Sequence, residues 1–357
     1  MNAARRQGGG TMKRRIFASL AVSTLAASTR IAWGQGGADA GSSDMLRSGI
    51  SGDLGAALRR YLALPGTKSY LVHAGPGGAL GQLSHHPGRF LFTASAYKTF
   101  VLGQYLRDVE AGRLSEDEQV AIDDGVRMFS SPLFLELDGT TQARSVLDAM
   151  IAYSDNTATD LATGKVGADR VRALIAELGL ASIRIPDSTR RFFSYQLGAP
   201  AGVDLGWPGI ADILEGSKSL PGALRPPLND VITLAGNARD FVSWYEQALQ
   251  GAVFAKPETL REFKRIQARS VQIPLAVPPD TPAYAKGGEF PTFLGFPLNA
   301  KSFAGQMIVG QGEKQTPVTF CFVVNWENQS AGDFPPVEME FFAAIQGILA
   351  AIKQALQ

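Results

Sequence analysis

The sequence predicts an α+β fold: an antiparallel sheet built from both chain ends and flanked by helices, with an all-helical lobe between. Three observations predict it. Strand-like runs occur early, at Thr67–His73 and Ala79–Ser84, and again late, at Ala283–Lys286, Lys301–Gly310 and Val318–Trp326. Between these runs, apolar residues recur three and four apart, the spacing of helices with one buried face. No internal repeat divides the chain, so the two ends are expected to share one sheet, with a cleft against the helical middle. The sheet lobe is expected at about 44–92 and 280–357 and the helical lobe at about 93–279, together one domain over 41–357.

Taken in order, Asp44–Leu62 reads as a helix, with Leu46, Ile50, Leu54, Leu58 and Leu62 four apart. Gly75-Pro76-Gly77-Gly78 turns the first strand into the second. A helix runs from Ser95 to about Ala111, with one buried side, and stops at Gly112; a polar connection, Leu114–Glu118, follows. Thr140–Ala152, Asn156–Thr163 and Ala168–Leu178 read as helices, the last closed by Gly179. Residues 181–230 are rich in Pro, Gly, Ser and Arg and read as irregular, a functional insertion or a surface flap. Arg239–Gln250 and Pro257–Ile266 are helical, and Val337–Leu356 closes the chain with Phe341, Ile345, Leu349, Ile352 and Leu356 on one face.

Composition narrows the function. A net charge of +1 over 357 residues leaves no basic footprint for nucleic acid. The single cysteine, Cys321, lies in an apolar strand-like run and reads as a buried core thiol, which excludes a disulfide framework. Three histidines, His73, His85 and His86, lack zinc-hydrolase spacing, so a metal-free, cofactor-free chemistry is expected. There is no G-x-S-x-G elbow, and all three histidines precede Ser95, which excludes the serine–acid–histidine order of α/β-hydrolases. Lys13-Arg14-Arg15-Ile16-Phe17 before the apolar stretch Ala18–Ala27 looks like a twin-arginine export signal, with a small-residue cleavage site at Ala38-Asp39-Ala40 and Met12 as an alternative start. Residues 1–40 are therefore expected to be removed on export to the periplasm or medium, leaving a monomer with no other apolar run of about 18 residues.

Phe92-Thr93-Ala94-Ser95-Ala96-Tyr97-Lys98 is the stretch with chemistry in it. Ser95 and Lys98, three apart on a helix, lie on one face a turn apart, with the positive end of the helix dipole under the serine oxygen. Burial disfavours a charged lysine, and a neutral amine can take the proton of Ser95 and make it a nucleophile. Any helix can carry this pair by chance. Two further motifs follow in order: Ser154-Asp155-Asn156 and Lys286-Gly287-Gly288. Alone, the first is also what a helix N-cap looks like, and the second a solvated strand lysine beside a turn.

Together the three resemble the S-x-x-K, S-D-N and K-T-G set of class A β-lactamases and penicillin-binding proteins. The flanks Leu106–Ser115 and Met150–Ala158 are similar to that family too, and the resemblance extends over about 44–357, most closely over 92–180. It implies a serine β-lactamase/transpeptidase-like fold and a penicillin-recognising serine hydrolase that forms an acyl-serine. By resemblance Ser95 is the nucleophile and Lys98 its base or electrostatic partner. Ser154 bridges Lys98 and Lys286 and protonates the leaving nitrogen, Asn156 binds the substrate amide, and Asp155 is structural. Lys286, Gly287 and Gly288 line the substrate site, and the N–H groups of Ser95 and Glu289 form the oxyanion hole.

Two departures stand out. The family usually carries Thr or Ser at the place of Gly287, whose hydroxyl binds the β-lactam carboxylate; its loss is expected to weaken carboxylate recognition and widen the site. The E-x-x-L-N motif that supplies the deacylating glutamate is missing: Leu180–Ile213 has no Glu, and alignment on Thr189-Arg190 puts Tyr195 in its place. A phenol, ordinarily protonated up to about pH 10, is a poor base. Asp187 and Asp204 are the nearby carboxylates and read as loop-surface groups. The expected function is hydrolysis of a β-lactam, or of a related ester or peptidoglycan-like amide, with slow or altered deacylation. The alternatives are an esterase, a D-alanyl-D-alanine peptidase, or a sensor that stays acylated.

Overall fold

A computed structural model describes residues 52–291, 295–296, 298–327 and 331–357. The export-signal, cleavage-site and alternative-start readings, and the first turns of the expected 44–62 helix, lie outside the described residues.

In chain order the elements are α1 (Gly52–Ala63), β1 (Thr67–Ala74), β2 (Gly81–His85), β3 (Leu91–Phe92), α2 (Lys98–Glu110), β4 (Gln119–Ile122), β5 (Gly139–Gln142), α3 (Ala143–Ala152) and α4 (Asn156–Val166). They continue with α5 (Ala168–Glu177), α6 (Thr189–Gln196), α7 (Gly206–Leu214), β6 (Ala235–Gly236), α8 (Ala238–Leu249), α9 (Pro257–Gln267), α10 (Ile273–Ala276), β7 (Ala283–Phe290), β8 (Leu298–Val309), β9 (Thr316–Glu327) and α11 (Phe334–Leu356). Five strands form one antiparallel sheet in the order β2-β1-β9-β8-β7, so both chain ends do share it.

The sheet is buried on both faces, and β9 shows why its sequence reads as one apolar run. Val318, Phe320, Phe322 and Val324 point to the layer of α1 and α11, while Cys321 and Val323 point to the helical lobe. Cys321 is a buried core thiol, as expected. On α1 the buried face is Leu54, Ala57 and Tyr61, while Leu62 is exposed. A strict spacing of four drifts about 40° per step around a helix, so the leucine stripe leaves the core where Ala57 and Tyr61 stay in it. The Tyr61 hydroxyl donates to Val323 O at 2.9 Å, fastening α1 to the sheet. α11 is long and apolar enough by composition alone to cross a membrane; here Phe341, Ile345, Ile348, Leu349 and Ile352 lie in the core beside α1 and the sheet.

The helical lobe departs from expectation in three places. α2 is buried on every side over Lys98–Leu106, not on one, because it is the lobe's central helix. Trp244 of α8 sits against Gly103, where a Cβ would stand 3.0 Å from the indole Cζ2, and its Nε1 donates to Thr99 Oγ1 at 2.8 Å. Residues 140–142, expected to open a helix, lie in β5 and pair with β4, so α3 starts at Ala143. Residues 181–230 are not irregular throughout: they hold α6 and α7. Arg225 ties the returning chain to α6, its backbone N–H donating to Gln196 O at 3.0 Å and its guanidinium to Tyr195 O.

Candidate active site

Ser95 stands in a 3₁₀ turn, Ala94–Tyr97, that leads directly into α2. The α-helix begins at Lys98, later than the spacing suggests. In a 3₁₀ turn residues three apart eclipse one another, so Ser95 and Lys98 still share a face. Ala94 is held at φ 46°, a conformation L residues adopt at a cost. The surroundings hold it there. Asn325 of β9 clamps Phe92 from both sides, accepting from its N–H at 2.9 Å and donating to its carbonyl at 2.8 Å. Ser302 Oγ of β8 donates to Thr93 O at 2.7 Å.

The edge strand β7 lies against this turn. A Cβ on Gly288 would stand 2.7 Å from Ser95 N and 2.8 Å from Ser302 Oγ, and would collide with Thr93 O. Only glycine admits that approach, which sets the β7 backbone at Gly288 against the serine turn.

Ser154 follows α3 with φ at 59°. Asp155 fixes it: one carboxylate oxygen accepts from Ala158 N at 2.9 Å as the N-cap of α4, the other from Leu133 N and Phe134 N at 3.0 and 3.1 Å. The N-cap reading and the structural role for Asp155 therefore both hold. The Ser154 hydroxyl meets two lysines, Lys286 Nζ at 3.0 Å and Lys98 Nζ at 3.3 Å. Lys98 also donates to Ser154 O at 2.5 Å and to Asn156 Oδ1 at 2.8 Å. Asn156 Nδ2 donates to Phe129 O at 3.1 Å, which leaves its second N–H for a ligand. Lys286 also donates to Gly287 O at 2.6 Å. The three distant segments thus converge on one hydroxyl.

Both lysines are buried. Burial pulls Lys98 down to about 7, against the pull of Asp155, Asp160 and Glu289. Lys286 is pushed well below its usual range by burial and then by Lys98. Two ammonium groups on one hydroxyl repel, so the protons on this pair are shared. Partial burial pushes the half-exposed Glu289 carboxylate up, yet Lys301, at 2.8 Å, then Lys286 and Lys98, hold it below the carboxylate range.

The groups nearest the place of the missing glutamate in the sequence are otherwise engaged. The Tyr195 ring lies 4.2 Å under the Arg225 guanidinium, and among the described residues no hydrogen bond joins its phenol to Ser95, Lys98 or Ser154. Asp187 pairs with Arg172 and Arg191, and Asp204 with Arg190, the surface role expected of them. One expectation fails outright. The space beside Gly287 is not widened, because the Gln272 side chain fills it: a Cβ on Gly287 would collide with Gln272 Oε1 and stand 2.8 Å from its Cδ. No motif marked Gln272. It lies in the loop before α10, and only folding brings it to β7.

The model of the beta-lactamase enzyme family matches residues 65–295. Among solved structures, a beta-lactamase from Chitinophaga pinensis superposes with a TM-score of 0.65 at 16% identity, covering 86% of this chain and all of that one. A class A beta-lactamase from Mycobacterium abscessus gives 0.61 at 14%, over 84% and 99%. A point mutant of PBP-A, held as an acyl-enzyme complex with penicillin G, gives 0.61 at 15%, over 85% and 96%. No curated protein matches by sequence. The match over most of the chain, with the shared fold, means that this protein belongs to the beta-lactamase enzyme family of serine hydrolases.

Proposed function

We propose that this protein is an exported serine hydrolase that acts on β-lactams through an acyl-Ser95 intermediate and releases the acyl group slowly. The observation that carries the reading is the Ser154 hydroxyl within 3.0 Å of Lys286 and 3.3 Å of Lys98, one helical turn from Ser95. Neutral Lys98 takes the Ser95 proton as Oγ attacks the lactam carbonyl carbon. The N–H groups of Ser95 and Glu289 hold the oxyanion, and Asn156 holds the substrate amide. As the C–N bond breaks, Ser154 gives its proton to the leaving nitrogen and regains one from the Lys98–Lys286 pair. Export rests on the Arg14-Arg15 segment, and the protein acts as a monomer in the periplasm or medium.

Slow release rests on what surrounds the acyl group. No Glu occurs in 180–213, Tyr195 is stacked under Arg225, and Asp187 and Asp204 are held in ion pairs. Nothing in this set is a ready base for water. Benzylpenicillin mixed with the protein is expected to give an adduct that persists for minutes in intact-mass spectra. Prompt turnover with no lingering adduct would contradict slow release.

A further inference from the structure

Gln272 lies against β7 and belongs to none of the three motifs. Val271 N–H donates to Ala152 O at 3.2 Å, so the loop carrying Gln272 is tied to the segment that delivers Ser154. From there the side chain reaches across to β7 and occupies the space a residue-287 side chain would fill. Its Oε1 is buried and has no hydrogen-bond partner. A buried carbonyl oxygen left unpaired costs free energy that a ligand N–H or O–H can recover.

We propose that Gln272 sets the substrate class of the cleft: beside Gly287 it receives a neutral group bearing an N–H or O–H, where a Thr hydroxyl would receive a carboxylate. The inference rests on the acyl-serine reading of the site and names what that site prefers.

The charges around the slot agree. Glu289, two residues along β7 and so on the same face as Gly287, brings a carboxylate to that side, where it and Glu338 share the single ammonium of Lys301, 2.8 Å from Glu289. Lys286, the nearest cation in the strand, directs its hydrogen bonds to Ser154 Oγ at 3.0 Å and Gly287 O at 2.6 Å. A carboxylate placed here meets a carbonyl oxygen and a second carboxylate; a carboxamide meets an acceptor that lacks a donor.

The geometry also makes positions 272 and 287 interdependent. Gly287→Thr alone puts its Cβ into the Gln272 amide and forces that flexible end out of the slot, so it is expected to weaken carboxamide binding. With Gln272→Ala beside it, the nearest atom left to the threonine Cβ is Ser302 O at 3.0 Å, a tight contact that β8 must yield to slightly.

The test is equilibrium binding by calorimetry to the full chain carrying Ser95→Ala, with benzylpenicillin and its primary carboxamide as probes. No acylation is needed, so failure of the acyl-serine reading is read separately, from intact mass of the unmodified protein. The carboxamide is expected to bind about tenfold more tightly than the carboxylate. Gln272→Ala should bring the two within about twofold, and Gln272→Ala with Gly287→Thr should reverse the preference. A carboxylate preference with Gln272 present, a ratio indifferent to Gln272→Ala, or binding of neither probe would overturn the proposal.

Discussion

Lys98→Met is expected to slow acylation of Ser95 by about 10²–10⁴-fold while the protein stays folded. Methionine keeps the apolar stem, out to Cε, of a side chain that is wholly buried, so the packing of α2 is largely preserved. It removes the amine that touches Ser154 Oγ, Ser154 O and Asn156 Oδ1 together. The unmodified enzyme should show the same dependence in its pH profile. Burial brings Lys98 to about 7, so below that pH the amine is protonated and cannot accept from Ser95. Acylation should therefore rise about tenfold per pH unit up to pH of about 7 and level off above it. The break belongs to the coupled Lys98–Lys286 pair, since both share the Ser154 hydroxyl. Stopped-flow acylation across neutral pH reads it, and a flat profile would remove Lys98 as the base. Thermal unfolding of the variant separates lost chemistry from lost structure.

Gly288→Ala should be nearly as damaging for a different reason. A methyl there drives into the Thr93 carbonyl and stands 2.7 Å from Ser95 N, and neither backbone atom can swing aside as a flexible side chain would. Either β7 withdraws or the serine turn shifts. A displacement of about 1 Å at a reacting atom can cost about 10²-fold in rate, and overpacking costs about 1–3 kcal/mol of stability. Acylation rate and melting temperature should fall together. Gly288→Ala acylating at the unmodified rate would mean that contact between β7 and the serine turn is not what builds the site.

Much of this was legible in the sequence because it is local. Three-residue motifs announce themselves wherever the chain carries them, and amphipathic runs such as Val337–Leu356 declare their buried face. β9 could be read as a strand, though not which strand it would join, since pairing β1 with β9 sets Leu71 opposite Cys321 across most of the chain. The misreadings share one cause. α2 looks one-sided in sequence, and only the fold closes Trp244 and α3 over its other side. The leucines of α1 suggest a stripe that the helix geometry does not keep. Gly287 alone implies an empty space, and the residue that fills it, Gln272, sits in a loop with no pattern to single it out.

The central claim is that Lys98, Ser154 and Lys286 make Ser95 the nucleophile of this protein. Peptide mapping after reaction with a fluorophosphonate probe tests it most directly, because the probe needs an activated serine and no β-lactam recognition. The account predicts one modified tryptic peptide, Phe90–Lys98, with the label on Ser95, and loss of that label in Lys98→Met. A folded protein that takes no label, or takes it at another serine, would contradict it.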